Sequence, residues 1–215
     1  MQVFDLSVPI MDGADWYHED ATPPVHIAQV GSLDAEGWVS HTLTLQVLNG
    51  TTYIETPGHL FATGATLDAV PPERFVRRAF IVRLPEGQRA LPAPDAYLYG
   101  FRPDEDALVL HCGWDAHLET PDFYAASPYF SPPLQRWILA HRPAILGADV
   151  PSFDDPADTA MPFLREFFKG GGMILAPLVS VGKIPVPVVT LCAAPLRLVG
   201  TNAAPCRVLA WCESE

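Results

Sequence analysis

Residues 48–61, LNGTTYIETPGHLF, bring several polar side chains of catalytic type together within a short stretch. If this stretch is extended, one face carries every second residue, namely Asn49, Thr51, Tyr53 and Glu55. Pro57 then ends the strand, and Gly58 permits a turn that swings His59 back towards Glu55. The pattern predicts a strand whose end carries a Glu–His pair.

A neighbouring carboxylate and imidazole support two kinds of chemistry. They can bind a divalent metal ion, or they can exchange protons as an acid–base pair. The same spacing also fits an ordinary strand end, in which His59 is a cap and Glu55 faces solvent. The spacing by itself leaves these interpretations open.

Composition narrows the class of protein. The chain has 215 residues, with 13 Lys plus Arg against 25 Asp plus Glu and a formal charge of −12. This length suits a single domain over residues 1–215, and the acidic surface argues against nucleic acid and anionic lipid as partners. No apolar run approaches the roughly 20 residues of a membrane span, and MQVFDLSVPIMDG lacks the basic start of a signal peptide. We therefore expect a cytoplasmic protein.

The four cysteines form no C-x-x-C pair. Three of them lie in apolar runs near the C-terminus, which is typical of buried, reduced thiols.

Strands dominate the predicted secondary structure. Residues 40–48, SHTLTLQVL, alternate between apolar and polar side chains, which predicts a half-buried strand. The remaining apolar runs predict buried strands, namely AFIVRL, ALVLHC, AILGA, MILAPLV, VVTLCAA and CRVLAW. A helix is predicted in SPPLQRWILAH, with Ser131 as its N-cap and Pro132 at its first position. A second helix in DTAMPFLREFFKGGG ends at three glycines, and TPDFYAAS predicts a short third. The fold class is α/β or α+β with a large sheet.

The stretch 48–61 resembles the signature of the cyclase family of metal-dependent hydrolases, which includes bacterial kynurenine formamidase. That signature reads H-x-G-T-H-x-D-x-P-x-H, and this chain has N-G-T-T-Y-I-E-T-P-G-H at the aligned positions. Further blocks resemble the family in the same order, namely DLSVPI with Trp16, LVLHCGWDAHLETPDFYAASPYFSP, ILGADVPSFDDP and APLRLVGTNAAPCRVLAW. The resemblance therefore spans nearly the whole chain.

The resemblance implies a swivelling β/β/α domain with a sheet or barrel-like core, few helices, and assembly into homodimers or higher homo-oligomers. It also implies two divalent metal ions, usually zinc, that activate water to cleave a small amide, lactam or ester. The family's five metal ligands align with Asn49, Tyr53, Glu55, Leu164 and Ala176. Its proton-shuttling His aligns with His59, and its pocket-lining Trp aligns with Trp16.

Of the five aligned ligand positions, only Glu55 carries a good ligand. Asn49 offers a neutral carbonyl, Tyr53 offers a phenol that stays protonated near neutral pH, and the other two have no donor atom. Zinc sites typically use three or four imidazole, thiolate or carboxylate ligands. We therefore expect no metal cofactor. Zinc or another divalent ion would need substitute ligands besides Glu55 and His59.

Two other polar groups invite interpretation. His111 and Cys112 are adjacent, and neighbours on a strand point to opposite faces, so a structural role for both is favoured over a nucleophile–base pair. Asp149, Ser152 and Asp154 could form a triad with His59. The resemblance favours a role in shaping the pocket.

These residues support one principal function and two alternatives. The principal function is an arylformamidase-like hydrolase of a small aromatic amide, ester or lactam, with Glu55 and His59 as the acid–base pair. In this function Tyr53 donates to the developing oxyanion, and Trp16, Tyr53 and Asn49 bind substrate. The alternatives are a non-catalytic relative that binds a small molecule, or a metal-free cyclase or dehydratase.

Overall fold

A computed structural model describes residues 1–212 of the chain. Its strands are β1 (Gln2–Asp5), β2 (His26–Val30), β3 (Ser40–Thr44), β4 (Tyr53–Glu55), β5 (Val76–Arg83), β6 (Ala90–Leu91), β7 (Ala107–His111), β8 (Tyr129–Phe130), β9 (Ile145–Ala148), β10 (Met173–Ala176), β11 (Val188–Pro195) and β12 (Ala203–Cys212). Its α-helices are α1 (Pro132–His141) and α2 (Pro162–Lys169). Within these described residues, neither α1 nor α2 is long and apolar enough to cross a membrane.

The main sheet closes into a barrel. Its strands follow the order β12-β11-β5-β7-β9-β10-β4, and β4 pairs again with β12. Strands β5, β7, β9 and β10 run parallel to their neighbours within that group, while the pairings of β4, β11 and β12 are antiparallel. β1 adds to the outer edge of β12. This confirms the predicted mixed fold with a barrel-like core and few helices.

Alternate residues of the seven strands point into the barrel and form one apolar cluster. Its members include Ile54, Ile81, Val109, Ile145, Leu175, Leu191 and Val208. The opposite faces of β5, β7 and β9 pack in a second cluster against α1 and α2, through side chains that include Leu108, Leu134, Ile138, Leu146 and Phe167. Burying each such side chain contributes about 1.5–3 kcal/mol. Both faces of the central strands are therefore covered, as their unbroken apolar sequences require.

Both predicted α-helices are observed. α1 begins after Ser131, which has extended N-cap dihedrals of φ −62° and ψ 157°, and it ends at Arg142 in the left-handed conformation. α2 ends at Gly170 and presents its apolar side to the barrel through Phe163, Leu164, Phe167 and Phe168. The predicted short helix in residues 120–127 is wrong, because this segment forms successive turns. Eight residues starting at a Thr-Pro pair give too few hydrogen bonds to offset the cost of helix nucleation.

The predicted strand over residues 40–48 is too long, and the prediction that one of its faces is buried is wrong. β3 stops at Thr44 and pairs only with β2, and all five of its residues are exposed, with Leu43 at 50%. The extended chain expected from Asn49 to Glu55 is likewise interrupted, because Gly50 adopts a φ of +69°. That left-handed conformation ends any strand and favours glycine. A β-carbon there would also lie 2.8 Å from the Val25 side chain.

Candidate active site

A cavity of about 360 Å³ lies on the outer side of the barrel. One wall is the outer face of β4 and β10, another is α2 with the residue before it, and a third is the loop 151–159. The remaining wall comes from residues 17–22, with Leu48 and Tyr124. The antiparallel pairing of β4 with β10, in which Ile174 lies opposite Glu55, brings the two sequence-distant walls together.

The Glu–His pair predicted from the sequence is present in this cavity. β4 ends at Glu55, and a 3-10 turn over Pro57–His59 reverses the chain. This turn places His59 Nδ1 at 2.8 Å from Glu55 Oε1. Gly58 is required because a β-carbon at this position would lie 2.7 Å from the Ala65 carbonyl oxygen. Pro57 and Gly58, from which the sequence predicts a turn, therefore form that turn.

Glu55 is almost fully enclosed, with 2% of its side chain exposed, whereas His59 retains 27%. The angles of their contact fall outside those of a well-formed hydrogen bond, so Oε1 is a buried oxygen without an aligned donor. Burial raises the pKa of Glu55 and outweighs the opposing effect of His59. The Glu55 contact in turn raises the pKa of His59, against a smaller opposite effect of burial. The two groups therefore titrate as a coupled pair.

Three tyrosines surround the pair, and two of them were missed by the sequence analysis. Tyr53 lies on β4, while Tyr17 and Tyr124 come from loops and pack with ring centroids 4.4 Å apart and planes tilted by 51°. Burial is the main cause that raises the pKa of all three phenols. They remain protonated at neutral pH and can donate hydrogen bonds. Tyr17 directly follows Trp16 in sequence, which was the one available signal.

Asn49 and Trp16 lie outside the lining of the cavity. The buried Asn49 carboxamide accepts from the Trp16 backbone N–H at 2.8 Å and donates to Asp15 Oδ1 at 2.9 Å and to the Thr22 carbonyl at 2.8 Å. The Trp16 ring packs against Phe123. These contacts fix the segment that carries Tyr17. The predicted contact of Asn49 and Trp16 with substrate stays a prediction.

The positions aligned with the family's other metal ligands do meet at this cavity. Leu164 on α2 and Ala176 on β10 both line it, together with Tyr53 and Glu55. Of the aligned residues only Glu55 carries a side chain that zinc prefers, with His59 beside it. The other carboxyl groups of the lining belong to no set of three converging donors among the described residues. Within residues 1–212, the one set of three metal-binding side chains with converging donor atoms lies elsewhere, at His111, Asp115 and Asp149. The donor set of the cavity does not fit a binuclear zinc centre.

Asp149 organises the chain beside the cavity. Its carboxylate accepts from the backbone N–H groups of Cys112, Gly113 and Trp114 at 2.7–3.1 Å and contacts His111 Nδ1 at 2.8 Å. His111 and Cys112 therefore both contact the Asp149 carboxylate. The expectation that the two residues face opposite sides of a strand is wrong, because β7 ends at His111 and Cys112 lies beyond it. Burial, followed by the Asp149 charge, raises the pKa of the Cys112 thiol, so it is protonated and unsuited to act as a nucleophile. These contacts support the structural role that the sequence favours for His111 and Cys112, which stays a prediction.

Ser152 and Asp154 both line the cavity. Asp154 accepts from the backbone N–H groups of Phe163 and Leu164 at 2.9 and 3.0 Å, which stabilises the first turn of α2. Asp149 lies outside the lining, so the three residues do not form a triad around His59.

The chain belongs to the cyclase family whose description reads "Putative cyclase", and whose model matches residues 4–155. This agrees with the family resemblance of the sequence blocks. The match includes Glu55, His59 and the tyrosines of the cavity, and it ends before α2. A comparison with curated proteins found no match.

Several solved structures share the fold. A potential metal-dependent hydrolase with cyclase activity is 21% identical with a TM-score of 0.77, over 97% of this chain and 96% of that one. Isatin hydrolase A from Labrenzia aggregata, bound to benzyl benzoate, is 18% identical with a TM-score of 0.81, over 97% and 93%. A predicted metal-dependent hydrolase from Bacillus stearothermophilus is 21% identical with a TM-score of 0.78, over 97% of each chain. At these identities the likeness establishes the fold.

Proposed function

We propose that this protein hydrolyses a small aromatic amide, ester or lactam with Glu55 and His59 as an acid–base pair. The observation that carries the proposal is the 2.8 Å contact between His59 Nδ1 and the buried Glu55 Oε1 inside a cavity. A buried carboxylate that orients an imidazole is the arrangement general acid–base catalysis requires. Family membership and the hydrolases among the structural neighbours support it.

Each group has a role in this proposal. Because Nδ1 faces Glu55, Nε2 of His59 is the atom left for substrate and water. Neutral His59 takes a proton from the attacking water at Nε2 and returns it to the leaving nitrogen or oxygen. Glu55 orients the ring and stabilises the imidazolium that forms meanwhile. A protonated tyrosine, with Tyr53 the predicted one, donates to the oxyanion.

We propose further that the reaction proceeds without the binuclear zinc centre of the family. The support is the donor set, because Leu164 and Ala176 present only carbon to the cavity. A metal contributes several kcal/mol of charge stabilisation to acyl transfer, so a metal-free enzyme suits activated esters and strained lactams better than unactivated amides.

The same two apolar residues favour the second candidate, a non-catalytic protein that binds a small aromatic molecule. A pocket of about 360 Å³ lined by Leu164, Ala176 and tyrosines has the composition of a binding site. A metal-free cyclase or dehydratase would use the same Glu–His pair for proton transfer alone.

Substitution of His59 tests these candidates. With an aryl ester as substrate, His59→Ala should lower turnover by roughly 10²–10⁴, the usual range for a general acid or base. His59→Asn should be as impaired, because a carboxamide cannot exchange a proton. Lys183→Ala, at an exposed position outside the cavity, is the control and should retain wild-type turnover.

The outcomes separate the candidates. Unchanged turnover in folded His59→Ala would refute the catalytic role. If the wild-type protein binds aromatic ligands but shows no turnover, the non-catalytic binding protein is favoured. Unfolding of His59→Ala, seen as a lost thermal transition, would make His59 a structural residue.

We also propose that the protein assembles as a homodimer or a higher homo-oligomer. Apolar side chains remain exposed on the β2–β3 hairpin, including Trp38 at 50% and Leu43 at 50%, and on the segment after β11, with Leu196 at 55%. An isolated two-stranded hairpin is marginally stable in water unless it packs against something. Contacts between copies would cover these surfaces.

A further inference from the structure

The ionisable side chains that line the cavity are mostly acidic. Its lining includes the carboxyl groups of Glu19, Glu55, Asp154, Asp155 and Asp158. His59 is the one lining residue that can carry positive charge, since the lining drawn from residues 1–212 includes neither Lys nor Arg. Two arginines act from outside the lining. Arg89 lies 3.9 Å from Asp155 across a partly exposed pair, and exposed Arg165, whose charge partly offsets the raised pKa of His59, donates to the Ala160 carbonyl.

The five carboxyl groups do not contribute equally. Asp154 is engaged by the N–H groups at the start of α2, and Glu55 faces His59. Asp158 and Glu19 remain without an ion-pair partner at the mouth of the cavity, within the described part of the chain. These two carboxylates therefore act directly on whatever enters.

Neighbouring groups respond to this negative field in the same sense. The Glu19 charge adds to the effect of burial in raising the pKa of Tyr124, and the Asp158 charge adds to it in raising the pKa of Asp154. Both shifts oppose the negatively charged form of the group. A carboxylate entering the cavity would meet the same repulsion.

Glu55 adds a buried carboxylate to this field. Its Oε1 lies 2.8 Å from His59 Nδ1, at angles outside those of a well-formed hydrogen bond. A buried carboxylate oxygen without a well-aligned donor costs free energy. The oxygen accepts hydrogen bonds when ionised, so it suits an N–H or O–H donor and opposes another carboxylate.

We propose that the cavity selects its substrate by charge, accepting neutral or cationic aromatic amides and esters and rejecting aromatic carboxylates. This inference rests on the proposed hydrolase function of the same site. Tyr17, Tyr53 and Tyr124 supply faces on which an aromatic or cationic group can stack. Glu19 and Asp158 supply the discrimination at the mouth.

The selection affects the binding of substrate and product differently. Hydrolysis adds water across the C–N or C–O bond. The acyl carbon gains a hydroxyl group, the leaving nitrogen or oxygen gains hydrogen, and the new acid loses its proton to solvent. The product is then a carboxylate in an acidic cavity, which favours its release. A free carboxylic acid is correspondingly disfavoured as the substrate of a cyclisation.

Three probes of nearly the same shape test the inference, namely benzamidinium, benzamide and benzoate. Their dissociation constants for the full chain are measured by titration calorimetry at low salt and pH 8. Benzoate should bind at least about tenfold more weakly than benzamide, and benzamidinium at least as tightly as benzamide. The ratio should shrink at about 1 M salt, where the Debye length falls to about 3 Å.

Variants locate the source of the selectivity. Glu19→Gln/Asp158→Asn should reduce the benzamide-to-benzoate ratio several-fold. The matched control Asp95→Asn/Glu119→Gln removes the same charge from exposed positions outside the lining and should leave the ratio unchanged.

Benzoate binding as tight as benzamide, absence of binding by all three probes at millimolar concentration, or an unchanged ratio in Glu19→Gln/Asp158→Asn would each overturn the inference. The binding order is measured without turnover. A failure of the hydrolase proposal, seen in the His59 experiment, is thereby distinguished from a failure of charge selection.

Discussion

Replacing Asp149 by Asn tests whether one buried carboxylate holds the loop after β7 and the chain leading into the cavity wall. The change keeps shape and removes charge. Oδ2 is the acceptor for the N–H groups of Gly113 at 2.7 Å and Trp114 at 3.0 Å, and it contacts His111 Nδ1 at 2.8 Å. An Asn amino group in this place would face those donors. With the amide turned over, the amino group would instead face the Cys112 N–H, which lies 3.0 Å from Oδ1.

The magnitude follows from these contacts. Each buried donor left without an acceptor costs about 1–3 kcal/mol, and in the better orientation one backbone donor, the Cys112 N–H, is affected. The loss of the carboxylate charge beside His111 adds to this cost, because breaking a buried ion pair typically costs about 3–5 kcal/mol. We expect Asp149→Asn to lower the free energy of unfolding by about 3–5 kcal/mol. This is a large part of the roughly 5–15 kcal/mol that stabilises a typical protein.

The pH dependence provides a second readout. The Asp149 contact is the main cause that raises the pKa of His111 in the folded protein. A group whose pKa is raised on folding stabilises the protein fully below its unfolded pKa, and this contribution is lost as pH rises through the folded pKa. The stability difference between wild type and Asp149→Asn should therefore be greater at about pH 6 than at about pH 8.

Urea denaturation followed by tryptophan fluorescence measures both quantities. Asp122→Asn is the matched control, because Asp122 is exposed and its carboxylate makes no hydrogen bond or ion pair with the described residues, and it should change stability by less than about 0.5 kcal/mol. A loss below about 1 kcal/mol for Asp149→Asn would refute this description of the network.

Three further predictions concern the site and the assembly. The acid limb of kcat/KM should have its midpoint above the ordinary His value of about 6.5, and Glu55→Gln should move it to lower pH, because the opposing effects of burial and of the Arg165 charge then remain; a midpoint that does not move would contradict the pairing. Protein purified without added metal should contain well under one zinc per chain and keep its Tm in chelator, as metal analysis and calorimetry would show; two tightly bound zinc ions per chain would overturn the metal-free proposal. Sedimentation at micromolar concentration should show at least a dimer, and a monomer would contradict the proposed assembly.

Local sequence patterns predicted the pieces of the fold that depend on near neighbours. Ser131 and Pro132 marked the start of α1, and the glycines after Lys169 marked the end of α2. The unbroken apolar runs predicted the central strands because those strands are buried on both faces. The Glu55–His59 contact was also predictable, since it spans only four residues.

Features that depend on long-range pairing were outside the reach of these patterns. β4 is only three residues long, yet it closes the barrel, with Ile54 opposite Leu175 on one side and Ala204 on the other. Nothing near Ile54 in the sequence specifies those partners. Tyr17 and Tyr124 reach the cavity from segments more than a hundred residues apart, and neither stands in the quoted family signature. The β2–β3 hairpin shows why an alternating pattern of apolar and polar residues can mislead. The pattern predicts a strand with one face against the core, but the described residues of this hairpin do not reach the core.

The proposed metal-free site also explains why burial and charge matter so much at Glu55. A bound cation would hold a buried carboxylate ionised, as metal ligands require deprotonation. With Leu164 and Ala176 at the neighbouring positions, burial instead raises the pKa of Glu55, and His59 is the one group of the lining able to offset its charge. The imidazole thus has two roles, stabilising the Glu55 carboxylate and carrying the proton. A substrate with a hydrogen-bond donor or a positive charge helps to stabilise Glu55, whereas a substrate with a carboxylate adds a further negative charge beside it. The same residues that argue against the zinc centre therefore favour a neutral or cationic substrate.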